Sequence, residues 1–189
     1  MRVDERSMRD LMLAGELHLA NGPELRGENI RALTLMEEYN RSSVLDPDNR
    51  RRLMTELLGA FGEDSYLRPP VYFNYGYQTR IGARSFSNFG VVFLDVGTIT
   101  IGDDVLLGSY SQLLAAGHEL DPQSRRDKWG YGKPIVIEDN VWLGAGAVVG
   151  PGVTIGENTI VGAGSVVMKS LPANVIAAGT PARVIRPLD

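Results

Sequence analysis

The chain has 189 residues, no cysteine, and 19 lysines plus arginines against 23 aspartates plus glutamates, which gives a formal net charge of −4. This length suits one domain, or one with a small satellite, with a sizeable buried core. The missing cysteines exclude disulfides, thiolate metal sites and a cysteine nucleophile, and they fit a cytoplasmic protein. The acidic balance and the lack of a long apolar run leave neither nucleic acid nor membrane as an expected partner.

Residues 1–62 show apolar spacings typical of three short amphipathic helices, without the apolar core of a signal peptide. The first helix is predicted to begin near Asp4 and the second at Pro23. The third is predicted to begin at Pro47, after an N-cap residue, and to end at Gly62. The expected buried faces are Met8, Leu11, Met12 and Leu19, then Leu25, Ile30, Leu33, Met36 and Tyr39, then Met54, Leu57, Leu58 and Phe61.

A six-residue repeat dominates residues 63–189. Neither an α-helix nor an ordinary strand requires this period, so the repeat predicts a solenoid in which each unit buries its apolar face against its neighbours. Three units would close one triangular coil. The result is a mainly β protein, a parallel β-helix of roughly four coils, with the helices covering its open end. The repeating residues are Ile81, Phe93, Ile99, Ile101, Leu107 and Leu113, then Ile137, Leu143, Val149, Ile155, Val161 and Val167.

Glycines follow many of these aliphatic residues. We expect them at the corners of the coils, where glycine tolerates both a positive φ and close packing. A β-sandwich with glycine-rich turns is the alternative, and six consecutive units in step argue against it. The clearest examples are Gly144, Gly150, Gly156 and Gly162.

The repeat is interrupted once, between Leu113 and Ile135, by an extended loop at residues 115–134. A long excursion from a rigid scaffold is a usual place for function. This one contains His118, one of two histidines in the chain. The other, His18, is expected on the first helix as a surface or partly packed residue. His118 is therefore the candidate catalytic residue, with a purely structural loop histidine as the alternative.

Six segments carry a family resemblance: MLAGELH, RPPVYFNYGYQTRIG, FSNFGVVFLD, GHELDP, GKPIVIEDNVWLGAGAVVGPGVTIG and VGAGSVVMKSLPANVIAAGTPARVIR. Nearly end to end, the chain resembles the maltose/galactoside O-acetyltransferase family of hexapeptide acyltransferases, which includes the acetyltransferases that modify nodulation oligosaccharides. The repeat alone is weak evidence, because many transferases and carbonic anhydrases share it. The histidine loop followed by VWLG, GAGSVV, a lysine and GTPARVI is the specific part.

The resemblance implies a left-handed β-helix, an exception to the usual right-handed crossover, assembled as a homotrimer with its sites between subunits. It implies acetyl-CoA as the donor, no required metal, and direct transfer of the acetyl group to a sugar hydroxyl. His118 would be the general base, a task that suits an imidazole. The backbone N–H of Ala145 would face the developing oxyanion.

Further site residues follow from the same resemblance, position by position. Small side chains would leave room for the pantetheine arm of CoA, and cations would suit its phosphates. Taken alone, Asn88 would be a turn cap, Asp95 a solvated corner and Trp142 a packing residue, and the cations would be ordinary surface residues. The residues implied beside the acceptor are Asn74, Asn88, Asp95 and Trp142. Those implied beside CoA are Ala145, Ala163, Met168, Lys169, Arg183 and Arg186.

The chain departs from the family pattern mainly on the acceptor side. It has Gly90 where relatives often carry Asn, and Asn74 where they carry Asp or Ser. The stretch 19–21 lacks the acid common after AGEL, and Gly117 and Met168 replace threonines. The sequence therefore predicts an acetyl-CoA-dependent O-acetyltransferase without a named sugar.

Three other functions compete with this prediction. A γ-type carbonic anhydrase is excluded, because it needs three histidines around a metal and the solenoid has one. A non-catalytic trimeric scaffold that holds acyl-CoA is the second, and Asn88 and Trp142 argue against it. The third is an acetyltransferase for serine or a drug hydroxyl, whose loops and N-terminal segments differ from the AGEL and GHELDP segments of this chain.

Overall fold

The computed structural model describes residues 6–188. They form a parallel β-helix with an α-helical cap at one end and one excursion from the coil. The helices are α1 (Met8–Leu13), α2 (Pro23–Arg41), α3 (Pro47–Leu57) and α4 (Pro122–Arg126).

Three parallel sheets make the sides of the prism, and the chain visits them in turn. Sheet I contains β2 (Ala60–Phe61), β5 (Thr79–Ile81), β8 (Ile99–Ile101), β13 (Ile135–Ile137) and β16 (Thr154–Ile155). Sheet II contains β3 (Tyr66–Leu67), β6 (Phe86–Ser87), β9 (Leu106–Leu107), β14 (Trp142–Leu143), β17 (Ile160–Val161), β19 (Val175–Gly179) and the antiparallel β20 (Ala182–Pro187). Sheet III contains β4 (Tyr72–Phe73), β7 (Val92–Leu94), β10 (Gln112–Leu114), β15 (Val148–Val149) and β18 (Val166–Val167).

The corners between the sheets are named by the sheets they join: the I–II, II–III and III–I edges. Sheets I and III each have five strands, and sheet II has seven including β20, so the prism has five to six coils. The prediction of roughly four coils is wrong, because the first coil begins at Ala60, before the first repeat recognised in the sequence. Its inward residues Phe61, Leu67 and Phe73 are six residues apart, but the step from Phe73 to Ile81 is eight residues. Strand β2 also precedes the proposed division between residues 1–62 and 63–189, which stays a prediction.

The repeating aliphatic residues point into the prism, as predicted, and Ile137, Leu143, Val149 and Ile155 are fully buried. The glycines after them lie at corners, as predicted, but they are needed there for close packing and not for a positive φ. A Cβ on Gly144 would lie 2.5 Å from the Ala163 nitrogen of the next coil. Close stacking therefore requires glycine there.

Positive φ occurs elsewhere in each unit. It falls three positions after the aliphatic residue, at Asn140, Gly146 and Asn158. Asparagine and glycine are the residues that adopt this conformation most readily. The expectation that the corner glycines need a positive φ is thus wrong, while their need for space is confirmed.

Two helices of the cap begin where the sequence predicts. Pro23 and Pro47 are the first residues of α2 and α3. The Asp46 carboxylate accepts a hydrogen bond from the Asn49 N–H at 3.1 Å and caps α3. Both prolines supply a helical φ at a position that needs no N–H donor.

The cap differs from prediction at its margins. Ser7 and Asp10 form a capping box that starts α1 at Met8, and Asp4 lies outside the described residues. Leu19 and His18 lie in a strand instead of the first helix. Helix α3 ends at Leu57 and not at Gly62, and Phe61 belongs to β2. On α2, the predicted core residues Ile30 and Leu33 are exposed, and Ala32 and Leu35 are buried instead.

Helices α2 and α3 close the first coil of the prism. Leu53, Met54 and Leu57 belong to the same buried cluster as Leu67 and Phe73 of the first coil. The predicted role of the helices as a cover for the open end is confirmed. A smaller cluster, built on Met12, Leu25 and Tyr75, fastens α1 to α2.

The excursion leaves and rejoins the prism at the III–I edge. It consists of β11 (Ala116–His118), α4 and β12 (Trp129–Gly132), and the Lys133 N–H closes its neck on the Ala115 carbonyl at 3.0 Å. Strand β12 pairs with β11 on one side and with β1 (His18–Leu19) on the other, as a small antiparallel sheet. The N-terminal segment thus supports the excursion directly.

Candidate functional site

His118 is exposed at the end of β11. Its Nδ1 lies 2.9 Å from the carbonyl oxygen of Trp129 on β12. A carbonyl oxygen can only accept, so in the neutral ring Nδ1 carries the proton and Nε2 does not. The structure therefore presents His118 as an oriented imidazole whose proton-accepting nitrogen has no partner among residues 6–188.

A cavity of about 380 Å³ lies against His118. One wall is N-terminal and the other belongs to the excursion and its neck. The Lys133 ammonium lies 5.1 Å from the centre of the Tyr131 ring on that second wall. A cavity beside a free ring nitrogen gives a hydroxyl compound access to it. The lining residues are Gly15, Leu17, His118, Glu119, Leu120, Tyr131 and Lys133.

Four other predicted site residues share the III–I edge with this excursion, each directly after a strand of sheet III. Asn74 and Asp95 follow β4 and β7, on the side of the helical cap. Met168 and Lys169 follow β18, on the opposite side, and both are exposed. Neighbouring coils are about 4.8 Å apart, so Asn74 lies about 10 Å along the edge from the coil that carries His118.

Asp95 is fully buried. Its Oδ1 accepts from the Asn74 N–H at 3.0 Å and the Tyr75 N–H at 2.8 Å, and its Oδ2 accepts from the Thr79 hydroxyl at 3.1 Å. Burial raises the pKa of Asp95 to about 6, against the opposing effect of these hydrogen bonds. The solvated corner expected of an isolated acid is therefore wrong, because both oxygens hold the turn at Asn74.

A second cavity, of about 280 Å³, opens beside Asn74. The Asn29 side-chain amide donates to the Asn74 carbonyl at 2.8 Å and to its side-chain oxygen at 3.3 Å. This cavity is polar and lies on the same edge as His118. Its lining residues are Ala20, Asn21, Arg26, Asn29, Asn74 and Tyr75.

Asn88, Ala145 and Ala163 lie on a different edge, where sheet II passes into sheet III. Successive coils stack there through corner residues, as the hydrogen bonds from the Asn88 N–H to Leu107 and from the Gly144 N–H to Val161 show. The stacked column is Asn88, Gly108, Gly144, Gly162 and Ala178.

Small side chains along this II–III edge leave the backbone accessible. Ala145 and Ala163 are exposed, and the Ala145 N–H has no hydrogen-bond partner among residues 6–188, whereas its carbonyl accepts from the Gly164 N–H at 2.8 Å. A backbone N–H without a partner in the chain is the kind of donor that an oxyanion needs. The edge thus presents a narrow strip of exposed small residues and accessible backbone.

Asn88 and Trp142 present polar and aromatic surface near the same edge. The Asn88 side-chain oxygen accepts from the Phe89 N–H at 2.9 Å, so it caps its own turn. Its NH2 group has no partner within the described part of the chain. Trp142 is 50% exposed on the outer surface of sheet II, between Leu106 and Ile160, and so does not pack inside the prism.

The two arginines lie on β20, at the end of the prism opposite the helical cap. Arg183 stands opposite Ala178, the last residue of the small-residue column, and Arg186 stands opposite Ile176. Both side chains are exposed and donate to nearby carbonyls, Arg183 to Ala182 at 2.8 Å. Arg183 places positive charge at the far end of the II–III edge, whereas Arg186 lies across sheet II, in the row of Trp142 and Ile160.

One chain therefore separates the predicted site residues into two groups. The III–I edge carries the base and the polar cavities. The II–III edge carries the small-residue column, the Ala145 N–H and Arg183, and the adjoining outer surface of sheet II carries Trp142 and Arg186. Sheet III lies between these edges, so a single chain does not bring the two groups together. The first group is Asn74, Asp95, His118, Met168 and Lys169, and the second is Asn88, Trp142, Ala145, Ala163, Arg183 and Arg186.

The sequence did not identify the N-terminal wall of the His118 cavity. Gly15 and Leu17 lie in that wall because the chain leaves α1 early and pairs with β12. Strand β1 has two residues, too few for an alternating pattern to be recognised. The Tyr131 ring is a further lining group without a motif of its own.

Two absences hold for residues 6–188. No three His, Cys, Asp or Glu side chains there form a group that could hold a metal ion. None of the helices in that range is long and apolar enough to cross a membrane.

Comparison with known proteins places these features in a family. Residues 11–62 match the maltose acetyltransferase hexapeptide capping motif, and residues 134–169 match the bacterial transferase hexapeptide (six repeats). The galactoside O-acetyltransferase of Escherichia coli (strain K12) is 40% identical over 182 residues, covering 96% of this chain and 90% of that protein.

Two solved structures extend the similarity to the fold. A maltose O-acetyltransferase from Clostridium difficile 630 is 35% identical with a TM-score of 0.96, covering 98% of this chain and 100% of that one. A hexapeptide-repeat acetyltransferase from Vibrio cholerae O1 biovar eltor, complexed with acetyl coenzyme A, is 41% identical with a TM-score of 0.90, covering 97% and 100%. This chain therefore belongs to the maltose/galactoside O-acetyltransferase family of hexapeptide-repeat acyltransferases.

Proposed function

We propose that this enzyme transfers the acetyl group of acetyl-CoA directly to a hydroxyl of a sugar acceptor, with His118 as general base. The site lies between neighbouring subunits of a cytoplasmic homotrimer. The observation that carries the proposal is the His118 ring, which is fixed by the Trp129 carbonyl with Nε2 open to a cavity. The family membership supports acetyl-CoA as the donor.

In this reaction Nε2 of His118 takes the proton of the acceptor hydroxyl as its oxygen bonds to the thioester carbonyl carbon. The Ala145 N–H donates to the carbonyl oxygen as negative charge develops there. When the carbon–sulfur bond breaks, the imidazolium can return its proton to the departing thiolate. The chain thus supplies one base and one oxyanion donor, and no acyl-enzyme is required.

A trimer is supported by the division of the site between two edges. A neighbouring copy could set its II–III edge against the III–I edge of the first and complete the site. The outer surface of sheet II offers apolar contact area for such a neighbour, because a ladder of apolar side chains runs along it. That ladder is Tyr66, Phe86, Leu106, Trp142 and Ile160.

A sugar acceptor is supported by the polar character of the III–I cavities. Asn74 and Asn29 offer amide groups to hydroxyls, and Trp142 of the neighbouring edge offers an aromatic face. Two relatives are also named for sugar acceptors, one as a galactoside O-acetyltransferase and the other as a maltose O-acetyltransferase. Met168 and Lys169 would meet the CoA side of the same groove.

The test is turnover of purified His118→Ala, measured as free CoA released with a panel of monosaccharides, disaccharides, β-galactosides, amino sugars and chitooligosaccharides. We expect a loss of at least ~10²-fold in kcat with CoA affinity retained. Full turnover by the variant would remove His118 as the base. Binding of acetyl-CoA by the wild-type protein without release for any hydroxyl compound would favour a non-catalytic scaffold.

A further inference from the structure

We propose that His18 is a positioning residue for the transfer reaction, because it fastens the strand that fixes the orientation of His118. The inference rests on the proposed role of His118 as base. In the antiparallel sheet of β1, β12 and β11, Gly130 of the central strand β12 pairs with His18 of β1 on one side and with His118 of β11 on the other. His18 itself is 2% exposed and does not touch the substrate cavity.

Strand β12 supplies the carbonyl that orients His118. That carbonyl belongs to Trp129, which stands opposite Leu19 of β1. Without β1, β12 would be an edge strand held on one side only, and its carbonyl groups could tilt. Strand β1 therefore limits the movement of the group that selects the tautomer of His118.

Glycine between the two histidines leaves space for this arrangement. Residues directly opposite one another in an antiparallel sheet project from the same face, so His18 and His118 stand on one face with Gly130 between them. A Cβ on Gly130 would lie 3.2 Å from the Gly117 carbonyl oxygen and 3.5 Å from His118 Nδ1. A side chain at Gly130 would thus crowd the Gly117 carbonyl and only touch the His118 ring, so glycine chiefly relieves the pairing of β11 with β12.

His18 ties β1 to the helical cap. Its Nδ1 lies 3.0 Å from the Glu16 carbonyl oxygen, so Nδ1 donates and the strand is fixed to the turn before it. The Leu19 N–H donates to the Met8 sulfur of α1 at 3.3 Å. Contacts thus run from the cap, through β1, to the carbonyl that holds His118.

A buried histidine could instead stabilise the cap alone, and matched variants separate the two roles. His18→Leu removes the donor and keeps the bulk. His18→Asn keeps a donor near the position of Nδ1, while His18→Gln places it further out. Tyr77→Phe is the control, because it removes the 2.6 Å hydrogen bond to Glu28 in the same cap without touching β1.

We expect His18→Leu to lower kcat about 10- to 100-fold, with CoA affinity and subunit association unchanged. His18→Asn should recover most of the lost kcat. Tyr77→Phe should keep the wild-type kcat even if its Tm falls as much as that of His18→Leu. If His18→Leu does not fold, His18→Gln against His18→Asn gives the same comparison. A wild-type kcat in both His18→Leu and His18→Gln would overturn the proposal, as would an equal fall in Tyr77→Phe.

Nitrogen-15 NMR of the imidazoles reads the positioning without catalysis. The chain has two histidines, so in His18→Leu the single imidazole signal belongs to His118. We expect a protonated Nδ1 on His118 in the wild type and a mixture of tautomers in the variant. An unchanged tautomer in the variant contradicts positioning. Full turnover by His118→Ala would instead contradict the base itself, so the two failures are distinguishable.

Discussion

The His118 imidazole is held by one backbone carbonyl and is otherwise open on the side of the cavity. This arrangement fixes which nitrogen can accept a proton without lowering access to it. A carboxylate in place of the Trp129 carbonyl would stabilise the charged ring, and a neutral carbonyl does so less strongly. The geometry therefore suits a group that takes up a proton and returns it within one reaction.

Asp95 gives a prediction for the pH dependence of stability. Its pKa is raised to about 6 in the folded chain, chiefly by burial, from an ordinary 3.8. A raised pKa means that the folded state binds the proton more tightly than the unfolded state. The favourable effect is present below pH ~4 and is lost as the pH rises through ~6, by roughly 3 kcal/mol in total.

The measurement compares the wild type with Asp95→Asn, which cannot ionise, by urea unfolding between pH 4 and pH 7. The free energy of unfolding of the wild type should fall relative to the variant across this range. Other carboxylates titrate equally in both proteins and cancel. A constant difference between the two curves would show that Asp95 does not titrate in this window.

Residue types alone could make His118 the candidate base, but they could not predict the orientation of its ring. A single histidine in the one interruption of the repeat is visible in the sequence, whereas the Trp129 carbonyl meets it only after β11 and β12 pair. The burial of Asp95 was harder to predict, because an acid at the end of a strand is usually solvated. Its burial depends on the turn at Asn74, which belongs to the preceding coil.

The exposed alanines beside the small-residue column, Ala145 and Ala163, give the second prediction. Ala163→Leu would fill the exposed strip that we propose for the pantetheine arm. We expect CoA affinity to fall about tenfold or more, because the added carbons occupy the path of the ligand. Isothermal titration with CoA measures it.

Ala83→Leu is the matched control. Ala83 occupies the same place in its unit, two residues after the inward Ile81, but at the I–II edge. Its CoA affinity should equal that of the wild type. Equal losses in both variants would mean that the strip is not the CoA path.

The repeat predicted the strands after Ile135 well, because consecutive units place one aliphatic residue on the inside of each sheet. It predicted the first coils poorly, since the step from Phe73 to Ile81 is eight residues and the buried inward residue Ser87 is polar. The N-terminal strand β1 was missed altogether. It forms because β12, distant in sequence, offers an unpaired edge, and no local pattern contains that information.

The outer surfaces of the whole molecule give a prediction about assembly. Leu106 is 46% exposed on sheet II, whereas Thr100 of the same coil is exposed on sheet I. Leu106→Glu would place a charge in the proposed contact and should shift the proposed trimer towards monomers, because an unpaired buried charge is costly. Thr100→Glu should remain trimeric.

Light scattering on both variants measures the mass of the assembly. A Leu106→Glu trimer as stable to dilution as the wild type would place the contact elsewhere. Dissociation of Thr100→Glu to the same extent would show that charge alone, rather than its position, disrupts the assembly.

In the assembled molecule, the proposed chemistry depends on one claim: the His118 edge of one subunit meets the Asn88 edge of the next. The family resemblance implied shared sites, and the placement of these residues on two edges of one prism gives a physical reason for them. Neither composition nor the repeat could show which residues fall on which edge without the register of the sheets.

Mixed trimers of His118→Ala and Asn88→Ala, formed by co-expression and assayed for CoA release, test this claim most directly. Each variant alone should be nearly inactive, whereas about one interface in four of a random mixture pairs two intact edges. We predict recovery of about a quarter of the wild-type turnover. A mixture of His118→Ala with Asn74→Ala, which lie on the same edge, should show none. If the mixture of His118→Ala with Asn88→Ala stays as inactive as either variant alone, the two edges do not form a shared site.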